Sequence, residues 1–131
     1  MSEENVALAR KALGAFHRRD KAAFVALCAP DYEWVPPADW PETAPIRGPE
    51  AAWAFMVELD EPWEPGEYEI AELIDYDNDK VVMHVQRHVR GRTSGVEADF
   101  DYWLVGTSRD GKAVRAEWFA QREHALAAAN R

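Results

Sequence analysis

The 131 residues are enough for one domain and too few for a second independent core. Fifteen basic against 24 acidic side chains leave a formal charge of −9, which excludes an electrostatic grip on nucleic acid or on an anionic membrane face. Apolar residues make up 47%, too many for a disordered chain. Apolar runs such as Ala51 to Val57 fall far short of the ~20 residues that span a bilayer. Met1-Ser2-Glu3-Glu4 carries neither a basic nor an apolar leader segment, and the lone Cys28 makes no internal disulfide and no thiolate metal site. A single domain over residues 1–131, cytoplasmic, with no metal and no cofactor, is expected.

In chain order, Val6, Ala9, Leu13 and Phe16 recur at spacings of three to four, so residues 5 to 18 predict a helix with Asn5 as its cap. Asp20 caps a short second helix through Phe24 and Leu27, which Pro30 stops. Tyr32 to Val35 reads as a short strand. Residues 36 to 49 hold five prolines and Trp40, the pattern of a stiff irregular loop, packed by its own Trp or lying as a lid over a pocket mouth. Pro49 then opens a third helix to about Leu59, with Trp53, Met56 and Leu59 on its apolar side.

From there the period becomes two. Strands are predicted at Tyr68 to Asp75, Val81 to Arg90, Val96 to Thr107 and Ala113 to Phe119. Turn-rich connectors join them at Asp77-Asn78-Asp79, Gly91 to Gly95 and Arg109-Asp110-Gly111. A last helix runs from about Arg122 to Ala129. The fold class is α+β: a curved antiparallel sheet with three N-terminal helices packed on its concave face.

Alternation along the strands separates two faces. Val96, Ala98, Phe100, Tyr102 and Leu104 share one face with Val114, Ala116 and Trp118, and Val81, Met83, Val85 and Val89 match them across a Gly91–Ser94 pairing. That register turns Arg87 inward, where a cation needs a partner. The opposite face carries Trp103, Val105 and Phe119 among His84, Gln86, His88, Arg115 and Glu117, and such an apolar cluster among polar groups marks a contact surface, the alternative being that the C-terminal helix folds over it within one chain. His84 and His88 lie ~13 Å apart along the strand, too far to share one metal ion. Asp75, Asp77 and Asp79 imitate the start of a calcium loop, but Lys80 and Gln86 stand where its Gly and Glu belong.

The segments NVALARKALGAFHRRDKAAFVAL, APDYEWVPP, IRGPEAAWAFM, GRTSGVE and RDGKAVRAEWFAQREHALAAA occur in an order that resembles the SnoaL-like branch of the nuclear transport factor 2 superfamily. The resemblance implies a cone-shaped α+β barrel, a pocket between helices and concave sheet, and a homodimer through the outer sheet face. The superfamily includes ketosteroid isomerases, polyketide cyclases, limonene epoxide hydrolases, dehydratases and many non-catalytic binding domains, and the catalytic members' acid/base positions do not carry that chemistry here. The ketosteroid isomerase positions fall near Ala12, Pro36 and Leu104, and the polyketide cyclase positions near Trp118 and Leu104, none of which moves a proton. Arg87 imitates the arginine of the epoxide hydrolases, with no inward Asp evident beside it. The expected function is therefore a pocket for a small, mostly apolar or aromatic molecule, with no catalytic residue assigned. Its walls are expected to be Phe16, Trp34, Trp53, Met56, Tyr102, Leu104 and Trp118, with Arg87 and Tyr102 as polar handles. The alternative is a homodimeric interaction domain whose aromatics simply fill the cone.

Overall fold

The computed structural model describes residues 2–41, 44–77 and 79–131. Its first helix, α1 (Ser2–His17), starts earlier than expected, with Glu3 and Glu4 favourably placed in the first turn. Asn5 is inside the helix rather than at its cap, and its Oδ1 accepts from Ser108 Oγ at 2.8 Å. Asp20 does cap α2 (Lys21–Leu27), its Oδ1 accepting from Ala23 N at 3.1 Å. β1 (Cys28–Val35) follows directly and is longer than the expected strand. Pro30 does not break it, because it falls where the pairing is irregular between Cys28 and Glu33, so its missing N–H removes no ladder bond there.

The proline-rich stretch is not wholly irregular. β2 (Ile46–Arg47) pairs with Glu33 and Trp34 of β1. Gly48, at a positive φ of 92°, turns the chain into α3 (Pro49–Asp60), with Pro49 opening the helix.

Four strands follow: β3 (Glu69–Asp77), β4 (Lys80–Arg90), β5 (Glu97–Arg109) and β6 (Lys112–Phe119). Asp110 and Gly111, both at positive φ, make the two-residue β5–β6 turn that their sequence predicts. The turn expected at Asp77-Asn78-Asp79 includes Asn78, which lies outside the described residues. Strand order is β2-β1-β6-β5-β4-β3 in one curved, unclosed sheet. The sheet is not wholly antiparallel, since β1 runs parallel to β6.

The β4–β5 register keeps the expected parity but shifts by two residues. Arg90 pairs with Glu97, and Gly91 N donates to Val96 O at 2.8 Å across a loop that closes through Gly95 at φ 70°. Because side chains repeat every two residues, this shift moves no β4 or β5 side chain to the other face, whereas a register irregularity between Thr107 and Ser108 brings Ala113 and Arg115 of β6 to the inner cavity, against the expected parity. Val96 itself is outside the strand and exposed. Val81, Met83, Val85 and Leu104 pack beneath Val6, Ala9 and Leu13 of α1, and Phe16, Phe24, Trp34 and Trp53 join the helices to β1.

The outer face departs from expectation. α4 (Arg122–Ala129) folds over it within the same chain, and Ala125, Ala128 and Ala129 bury Val82, Trp103 and Val105, with Phe119 beside them. Trp103 is further contacted by the His84 ring, stacked at 4.2 Å, and by the Arg122 guanidinium, 5.6 Å from the ring centroid. The apolar cluster that argued for a back-to-back homodimer is therefore intramolecular core.

Candidate functional site

Between the helices and the concave face lies a cavity of about 450 Å³. Alternation in the sheet and the helical period aim its walls. Trp34 on β1 stands opposite Ala116 of β6, and Leu104 on β5 opposite Trp118, so residues of one parity converge from three strands. Phe16 from α1 and Met56 from α3 close the other side, and Phe100 and Tyr102 extend the β5 wall.

The rings brace one another rather than stack. Trp34 meets Trp118 at 5.9 Å and 43°, and Trp40 at 6.2 Å and 46°. Trp40, from the proline-rich loop, stands edge-on to Tyr102 at 5.9 Å, and its Nε1 donates to the Tyr102 hydroxyl at 3.2 Å.

Phe16, Trp34, Met56, Arg87, Tyr102, Leu104 and Trp118 all line this cavity. Trp53 does not. It is buried one layer behind the wall, 5.5 Å from both Phe16 and Phe24. The reason is position along α3: Trp53 lies two turns, ~10 Å, before the end of the helix that reaches the cavity, and packs against α2 instead.

Asp60, the last residue of α3, was missed by sequence reasoning and corrects the expectation that no inward Asp accompanies Arg87. It is buried and lines the cavity. Arg87 Nη1 donates to Asp60 Oδ1, and Nη2 lies 3.4 Å from Oδ2, which also accepts from Arg19 Nη2. Arg19 sits at φ 58° with its guanidinium 4.3 Å from the Phe16 ring centroid. The Arg87 guanidinium lies 5.2 Å from the Tyr68 ring centroid. Burial holds the Tyr68 phenol above its ordinary pKa, against the pull of Arg87, so it stays protonated at neutral pH. The signal for Asp60 was available, since it falls on one helical stripe with Trp53 and Met56, at i+7 and i+4.

The other candidate groups stand elsewhere. His84 bonds Asp101 at 2.5 Å, and His88 bonds Asp99 and Glu97, both at 2.7 Å, all on the outer face. No group of three or more metal-ligating side chains converges among the described residues. Cys28 is buried, which pushes its thiol up to about 12. No described helix is long and apolar enough to cross a membrane.

Residues 9–116 match the family model described as a SnoaL-like domain. No curated protein matches the sequence. Among solved structures, an NTF2-like protein of unknown function from Burkholderia pseudomallei K96243 is similar at a TM-score of 0.74, with 24% identity over 88% of each chain. TerC, co-crystallised with polyporic acid, is similar at 0.75, with 23% identity over 98% of this chain and 99% of its own. A protein of Jannaschia sp. CCS1 bearing the name SnoaL-like polyketide cyclase is similar at 0.78, with 18% identity over 97% and 91%. At such identities the likeness is one of fold.

Proposed function

The chain belongs to the SnoaL-like domain family, and we propose that it binds a small, mostly apolar or aromatic molecule in the cavity between its helices and concave sheet. The observation that carries this reading is the cavity itself: about 450 Å³, walled mainly by aromatic and aliphatic side chains, with a few polar groups among them. That is the size and lining of a small-molecule site, which typically needs ~300 Å³ or more. Aromatics that merely filled the cone would leave no such space. TerC, with the same fold, is co-crystallised with a small molecule, which supports the same use here.

Proton transfer is not part of the proposal, because Ala12, Pro36, Leu104 and Trp118 stand where the resemblance places the acid/base residues. A homodimer through the outer sheet face, if formed, would use the polar strip around His84, Gln86, His88, Glu97, Asp99 and Asp101 rather than the aromatics beneath α4.

A thermal-shift screen with sterols, polyketide-like aromatics and terpenoids tests the binding. A ligand at a hundred times its Kd stabilises the folded state by ~2.7 kcal/mol. Trp34, Trp40 and Trp118 line the cavity, so the same ligand should change the intrinsic fluorescence saturably. A screen in which no class moves either signal overturns the reading.

A further inference from the structure

We infer that the ligand carries an uncharged hydroxyl or enol group, and that this group docks on the Asp60–Arg87 pair. The inference rests on the ligand-binding reading above and adds the chemistry of the ligand's polar end.

Three observations converge on it. The pair lines a cavity whose other walls are largely apolar. Both residues are buried, with 8% and 6% exposure. The guanidinium also holds donor capacity in reserve: of its five N–H groups, Asp60 takes bonds from Nη1 and Nη2, and Nε is sealed off beside Gly66, so the donors left for a ligand are the remaining Nη hydrogens. Stability alone is a weak explanation for such a pair. Taking two charges out of water offsets most of their attraction, and well-packed apolar residues in their place are often neutral or stabilising. Tying α3 to β4 therefore does not require a salt bridge at the cavity wall.

The chemistry of the two partners selects the ligand group. A carboxylate only accepts hydrogen bonds, and a guanidinium only donates them. A hydroxyl answers both, donating to the carboxylate and accepting from the guanidinium. A ketone oxygen serves Arg87 alone. A ligand carboxylate would bring a second negative charge against Asp60 within apolar walls, where unbalanced charge is penalised heavily. Arg19 shares Asp60 with Arg87, but its side chain is 43% exposed, so water screens this second cation.

Calorimetric titration of the intact protein at neutral pH with naphthalene, 2-naphthol and 2-naphthoate separates these cases. We expect 2-naphthol to bind about tenfold or more tightly than naphthalene, the usual gain for a hydrogen bond to a charged group, and 2-naphthoate to bind more weakly than either. Asp60→Asn keeps the shape and removes the negative charge, leaving Arg87 as an unbalanced cation. In that variant 2-naphthoate should overtake 2-naphthol, a reversal that a merely structural role would not produce. Equal binding of naphthalene and 2-naphthol overturns this inference and leaves the binding reading standing, whereas binding of none of the three overturns both. An unchanged order of probes in Asp60→Asn also overturns the inference. Should that variant fail to fold, the wild-type series decides alone, and Arg87→Gln, expected to lose the preference for 2-naphthol, supplies the second measurement.

Discussion

The two faces of the sheet carry similar aromatic cargo and end in opposite states. On the outer face Trp103 and Val105 are sealed beneath α4. On the inner face Trp34 and Trp118 border an open cavity. The covering residues make the difference. α4 presents Ala125, Ala128 and Ala129 to the sheet, so its backbone approaches closely and fills the space above the indole. The inner helices meet large side chains instead. Trp34 and Trp118 are tilted against each other, and tilted rings prop a roof without filling the volume beneath it. Aromatic content thus does not by itself decide between core and pocket; the size of what lies over it does.

Replacing one Trp on each face tests this contrast most severely. Trp103→Ala should destabilise the fold by ~3–5 kcal/mol in denaturant unfolding, since the indole is enclosed by α4, His84 and Arg122. Trp118→Ala should lose less, ~1–3 kcal/mol, because part of its surface already faces empty space. Equal losses would break the distinction between a filled and an open face.

Adding volume should give the mirror result. Ala125→Leu inserts methyl groups where there is no room and should cost ~1–3 kcal/mol. Gly106 lines the inner cavity, and a Cβ there would meet nothing nearer than Val81 O at 4.0 Å. Gly106→Val should therefore be neutral or stabilising, by up to ~2 kcal/mol, while weakening any cavity ligand in the same thermal-shift assay. A destabilised Gly106→Val would mean that the cavity is smaller in solution.

The smallest expected effect sharpens the part of the outer face that α4 leaves uncovered. Asp99 and Glu97 hydrogen-bond His88 and hold its pKa above the ordinary histidine value. Folding therefore favours the protonated ring. Its contribution to stability is full below the ordinary histidine pKa of ~6.5 and is lost as pH rises through the raised value. NMR titration should show the raised pKa in the wild type and a fall toward the ordinary value in Asp99→Asn. A wild-type value at or below the ordinary one would show that these exposed ion pairs do not form.

Local pattern carried the helices, the strands and the parity of the sheet, because each depends on residues within a few positions of one another. Asp20 caps α2 through an amide three residues on. Asp110-Gly111 sets its own turn by positive φ. Period-two alternation placed Arg87 and Tyr102 on the inner face even though the β4–β5 register was two residues away from the expected one. The fourth helix, too, follows from its own run of residues, with Arg122 and Ala129 as its ends.

Tertiary structure decided what distant segments do with those surfaces. The apolar outer face could have been covered by another copy or by the chain itself, and alternation is the same in either case; α4 settled it by folding back. β2 exists only because Glu33 and Trp34 offer it an edge, and β1 lies parallel to β6 through pairing across most of the chain. Trp53 and Asp60 share one stripe of α3, yet one packs against α2 and the other enters the cavity, a division made by where the helix ends. Asp60 and Arg87 are 27 positions apart and meet only when the end of α3 reaches β4. A spacing rule reaches along one helix or strand, whereas the pairing of a buried acid with a buried base needs two elements brought together by the whole core.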